Sequence, residues 1–118
     1  MSAQTKKNTT AITNAIVNAI AEVLHQHKGE DVLVLDLQDL GEWTDFFIIA
    51  TATSDTHLEG LTRHIKSFCN EHGIDILRQS TRVPRDEWRI IDLGTTVIHL
   101  MSKQARDFYD LERLYEIR

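Results

Sequence analysis

Thirty residues near the C-terminal end, Asp86 to Tyr115, constrain the fold most tightly: DEWRIIDLGTTVIHLMSKQARDFYDLERLY has room for two strands, a tight turn and a short helix. Side chains alternate along an extended backbone. Trp88, Ile90 and Asp92 therefore fall on one side of the first strand, and Arg89, Ile91 and Leu93 on the other. One side mixes an indole, an apolar residue and a carboxylate, which suits a surface that is touched better than a core that is merely filled. The turn falls at Gly94 and Thr95, and Thr96 to Met101 returns as the second strand of a hairpin. Ser102 can cap a final helix whose Phe108, Leu111 and Tyr115 face inward, with Arg106 and Asp110 paired one turn apart.

The preceding chain supplies the rest of a sheet. Residues 1 to 8 are polar and expected to be loose. From Thr9 or Thr10, Ile12, Ala15, Ile16, Ala19, Ile20, Val23 and Leu24 repeat at three and four, an apolar stripe on a helix that Gly29 can end. Asp31 to Leu37 and Asp45 to Ala52 are short, apolar and rich in Val, Leu, Ile and Phe, so they read as strands. The second is apolar on both faces, which predicts an interior strand. Thr53 to Thr56 offer several N-caps, with Thr56 and Glu59 matching a capping box, before a helix bearing Leu58, Leu61, Ile65, Phe68 and Cys69 on one stripe. Gly73 ends it, and Ile74 to Gln79 is expected to return beside the previous strand as a right-handed crossover.

The expected order is helix, two strands, helix, three strands, helix. This is an α/β (α+β) domain over residues 9–118, a mixed five-stranded sheet with helices packed mainly on one face. If so, part of the other face must meet solvent or a partner.

At 118 residues no second core fits. A net charge of −5 argues against coating nucleic acid by charge alone. Arg78, Arg82 and Arg85 nevertheless make a local basic loop around Pro84, either solvated or in contact with phosphates of a larger complex. The single Cys69 allows no internal disulfide and reads as a small buried residue of a protein from a reducing compartment. No apolar run approaches the roughly 18 residues of a membrane span, and Asn14 and Asn18 interrupt any secretory h-region. A cytoplasmic protein without a membrane partner is expected.

No G-x-G-x-x-G, Walker loop, G-x-S-x-G or H-E-x-x-H occurs. His57 and His64 share a helical face but lie about 10 Å apart along the axis, too far for one zinc, so no metal or other cofactor is expected. The best polar constellation is Asp45, Asp92 and His99, each beside or inside an apolar strand where an unpaired polar group costs energy. One reading makes Asp92 a base with His99 as its partner in a nucleotide-handling enzyme. The other makes these residues a satisfied network that shapes the hairpin. Trp88 likewise divides between core filling and an anchor for a protein partner.

The C-terminal stretch resembles the signature of the ribosomal silencing factor family, also called Iojap-related. Trp88, Asp92 and Gly94 match its W-x-x-x-D-x-G strand and turn. Val97, Ile98 and His99 match its V-I-H strand, and Arg106, Phe108, Tyr109, Leu111, Glu112 and Leu114 its R-x-F-Y-x-L-E-x-L. Thr44 to Ile49, with Thr51 and Ser54, resemble the T-D-x-F-x-I-x-T-x-x-S block. Ala52, Leu93 and Tyr115 depart from the commoner Gly, aromatic and Trp, and the Glu-Gly pair before the Trp strand is absent. The resemblance implies a non-enzymatic translational repressor of nutrient-limited, stationary-phase cells. It would dock on the large ribosomal subunit through that subunit's fourteenth protein and so block joining of the small subunit. A nucleotidyltransferase-like enzyme is the alternative. The expected docking residues are Trp88, Ile90, Asp92, Gly94, His99 and Met101, with Arg89, Tyr109 and Glu112 at the rim. Two further readings stay open from the residues alone: the basic loop is either solvated or in contact with ribosomal RNA through Arg78, Arg82 and Arg85, and the free protein is either single or a homodimer paired through its open sheet.

Overall fold

The computed structural model describes residues 11–82 and 87–114. In chain order these form helix α1 (Asn14–Gln26), strand β1 (Glu30–Asp36), a 3-10 turn (Gln38–Leu40), β2 (Phe46–Ala52) and α2 (Asp55–Glu71). There follow β3 (Arg78–Arg82), β4 (Trp88–Asp92), β5 (Thr96–Ser102) and two short helices, α3 (Lys103–Tyr109) and α4 (Leu111–Leu114). The five strands make one mixed sheet in the order β1-β2-β5-β4-β3. Only β2 and β5 run parallel; the other neighbours are antiparallel. The expectation for residues 1–8, and those resting on Pro84, Arg85 and Tyr115, lie outside the described residues.

β2 is buried along its whole length, as its two-sided apolar pattern requires of a strand flanked by β1 and β5. Its alternation feeds two cores. Phe46, Ile48 and Ala50 pack with Ile98 and Leu100 of β5 beneath Val17, Ile20 and Leu24 of α1 and Leu58, Leu61 and Ile65 of α2. Phe47 and Ile49 point the other way and join Leu37, Trp88, Val97, Met101 and Ala105 of α3 in a second, smaller cluster. The two long helices thus share one face, and the short C-terminal helices meet the other.

Local chemistry sets the ends of the elements. Thr13, Ser54 and Ser102 cap α1, α2 and α3 by accepting from Ile16, His57 and Ala105 N–H. Ser54 therefore takes the role expected of Thr56, and Glu59 turns to Arg89 instead of closing a capping box. At the end of α1 the left-handed residue is Lys28, φ 72°, and Gly29 is needed for another reason: a Cβ there would lie 2.9 Å from the Leu24 carbonyl oxygen.

Two expectations about order change. The third strand begins at Arg78, later than Ile74, and sits at the far edge of the sheet, because β5 and β4 intervene between β2 and β3. The final helix breaks in two at Asp110, whose φ is 49°. Phe108, on α3 before the break, faces outward, and after the break Leu111 packs on the second cluster.

Candidate functional site: an aromatic sheet face

Register settles how the hairpin presents its side chains. Trp88 lies opposite Met101, Ile90 opposite His99 and Asp92 opposite Val97. Directly opposed residues share a face. Trp88, Ile90, Asp92, His99 and Met101 therefore stand together on the side of the sheet away from α1 and α2, with Gly94 at the turn.

The indole of Trp88 donates from Nε1 to Nδ1 of His99 at 3.0 Å. An indole N–H can only donate, so Nδ1 must be the acceptor, and in the neutral ring the proton sits on Nε2. From His99 the rings continue in both directions. Phe47 meets His99 edge-on at 4.5 Å between centroids, and Trp88 meets Tyr109 at 4.9 Å. Phe108 then contacts Tyr109 edge-on at 4.9 Å. This run of aromatics begins in the core and ends in water.

Exposure sorts the expected residues. Trp88 is 9% exposed and Met101 is sealed beneath it, while Tyr109 is 38% and Phe108 78% exposed. Asp92 and His99 are buried, and Ile90 and Gly94 are half-buried. A body resting on this face would touch Phe108, Tyr109, Ile90 and Gly94 first, with Trp88 as the support beneath them.

Asp92 and His99 are not bonded to one another in a catalytic pair. The Asp92 carboxylate accepts from Gly94 N–H at 2.8 Å and lies 3.6 Å from the Arg78 guanidinium, so its work is to shape the turn. Gly94 itself has φ 96°, a conformation that disfavours any side chain. Asp45 takes part through its main chain, donating to the Thr95 carbonyl and accepting from Leu37. Among the described residues no three of His, Cys, Asp and Glu gather as metal ligands.

The rim residues separate. Arg89 lies on the opposite face, paired with Glu59 at 2.7 Å and donating to Thr62 on α2. Glu112 turns to Arg106, which was expected to pair with Asp110; the break at Asp110 sets Asp110 instead near Arg113. Arg78 is exposed at the sheet edge, whereas Arg85 and the side chain of Arg82 lie outside the described residues.

The sequence reading passed over Trp43, which is 67% exposed in the connection that abuts the hairpin turn through Thr44 Oγ1 and the Gly94 carbonyl. A Trp between Glu42 and Thr44, outside any apolar periodicity, was the available signal. Also missed was the stacking of His27 on His64, with ring centroids 3.4 Å apart. It joins the end of α1 to α2, and their separation in sequence hides it.

Fold and face together define a small mixed α/β domain whose sheet carries an aromatic surface only partly covered by short helices. Sequence comparison says which. The profile of the family described as "Ribosomal silencing factor during starvation" matches residues 9–118. The chain belongs to that family. It is 36% identical over 104 residues to the ribosomal silencing factor of Treponema pallidum, covering 87% of this chain and 92% of that one. The chloroplastic Iojap protein of Zea mays is 29% identical, over 82% of this chain and 42% of its own length. A crystal structure from Chromobacterium violaceum superposes with a TM-score of 0.80 at 29% identity, covering 91% of this chain and 89% of that one.

Proposed function

We propose that this chain silences translation by occupancy. It docks on the large ribosomal subunit through that subunit's fourteenth protein and blocks joining of the small subunit when nutrients are short. Membership of the silencing factor family supports the class of function. The observation that carries the choice of surface is the aromatic run from His99 through Trp88 and Tyr109 to Phe108 on the face away from the long helices.

Aromatic side chains resting on a rigid base lose little entropy on binding and are frequent hot spots. Here Trp88 is the base, fixed by His99, backed by Met101 and shaped by the Asp92–Gly94 turn. Ile90 and Tyr109 stand at the surface. Arg78 at the sheet edge is suited to a phosphate of ribosomal RNA close to the docking protein.

The test is to mix the purified chain with separated subunits at joining-permissive magnesium and follow whole ribosomes on a sucrose gradient. Co-sedimentation with the large subunit and fewer whole ribosomes are expected. A chain that stays at the top while ribosomes form normally would refute silencing. Trp88→Ala, checked for folding by circular dichroism, should cost about 2 kcal/mol, roughly thirtyfold in affinity. Unchanged binding by the folded variant would remove Trp88 from the site.

A further inference from the structure

α3 is a helix that cannot hold itself. At seven residues it is far below the length at which a helix persists alone in water. Its buried residues are Ala105 and Arg106. Ala105 offers little more than a methyl group, so the anchoring falls chiefly to a guanidinium.

Arg106 reaches back across the sheet to do it. Nη1 donates to the Asp31 carbonyl at 2.6 Å and to Thr51 Oγ1 on β2 at 2.9 Å. Asp31, with φ 48°, lies in the bulge where β1 falls out of register with β2 between Glu30 and Leu33. A bulge leaves main-chain groups outside the ladder, and here the arginine takes one up. From another edge of the same plane, Nε and Nη2 both donate to Glu112 Oε2, at 3.2 and 3.1 Å. The turn at Asp110, whose N–H donates to the Arg106 carbonyl, is thereby held from both ends.

An arginine at the foot of an open hollow of about 590 Å³ invites the reading of an anion site. The walls argue against it. Asp31, Asp107, Asp110 and Glu112 surround the guanidinium, with Lys103 the other cation, and its N–H groups already point at protein oxygens.

Its geometric effect lies elsewhere. Tyr109, one helical turn beyond Arg106, is the residue whose ring rests on Trp88. We propose that Arg106 is the positioning residue of the docking face: by tying α3 and α4 to the β1 bulge it holds Tyr109 against Trp88, and so sets how tightly the chain grips the large subunit. The last clause rests on the docking function proposed above. The first does not.

Emission is read in the full chain carrying Trp43→Phe, so that Trp88 is the only indole, and affinity in the chain that keeps Trp43. Arg106→Lys keeps the charge but loses the planar fork that spans bulge and Glu112. Its Trp88 emission should shift to the red, as should that of Tyr109→Ala. The two changes together should shift it no further than either alone. Affinity for purified large subunits should fall about tenfold in each single variant and no more than slightly further in the double. Should Arg106→Lys fail to fold, Glu112→Gln loosens the same corner from its solvent side and should move emission and affinity the same way.

A folded variant with a lowered Tm but unaltered Trp88 emission and binding would overturn the proposal, leaving Arg106 a role in stability alone. If the chain with Trp43 and Arg106 both intact does not bind large subunits, the docking function falls and the consequence for binding with it. The emission arm then still decides whether Arg106 sets the Trp88–Tyr109 contact.

Discussion

Cys69 lies on the inward stripe of α2, and burial pushes its thiol up to about 11. Thiolate, not thiol, is the nucleophile, so at neutral pH the native chain should present about a hundredfold less reactive sulfur than an exposed cysteine does. Labelling with an aromatic disulfide reagent should be slow in the native chain and fast in denaturant. Equal rates in both would contradict the packing around α2. The sequence indicated this burial, since Cys69 continues the row of Leu58, Leu61 and Ile65. His99 was half legible: the cost of a polar ring inside an apolar strand says that it must have a partner, but the register that makes that partner Trp88 depends on tertiary pairing.

Among the elements, α3 depends most on chemistry at its ends. Ser102 Oγ accepts from Ala105 N–H and donates to Glu87 Oε1 at 2.9 Å, joining the helix start to the residue before β4. Ser102→Ala should cost about 1 kcal/mol, read as a lower urea midpoint at unchanged m-value. A midpoint like that of the parent chain would mean that the cap contributes nothing to the folded state. The start of this helix was legible because Ser after an apolar strand has few other uses. Its break was not, since an aspartate in a left-handed turn looks the same in sequence as one on a helix surface. The error with Arg106 follows from it: spacing favours Asp110 on an unbroken helix, but the turn carries Glu112 to the guanidinium instead. β3 was misplaced for a related reason. Arg78 to Arg82 has no apolar alternation, and only its pairing with β4 makes it a strand.

Across the whole molecule, the stacked His27 and His64 make the seam between α1 and α2 sensitive to acid. Desolvation first, then His27 and Arg63, hold the His64 imidazole below its usual 6.5. A base with a lowered folded-state value favours the neutral form in the native chain. The stability it contributes is complete above 6.5 and is lost as pH falls towards the folded value, because the unfolded chain takes up the proton first. Tm should therefore decline with acidification below 6.5, and His64→Gln should flatten that slope. An identical slope in the variant would exclude the stack as its source. The effect is modest, since both rings are at least partly open to water and its screening.

At this scale the helices and strands other than β3 were legible from periodicity, apart from the break in the last helix, and so was the interior place of β2. The order of the strands was not, since nothing local says that the last strand enters between β2 and β4. That insertion has a consequence for the birth of the protein. β5, residues Thr96–Ser102, is the middle strand of the sheet and the last of the five in sequence, so the earlier strands emerge from the ribosome with no centre to assemble on. The pairing of β5 with β2, Phe46 opposite Thr96, joins distant parts of the chain and is slow to close. Until β5 has left the ribosome, β1 with β2 and β3 with β4 can make only two separate pairs with open edges, and the sheet closes when Thr96–Ser102 enters between them.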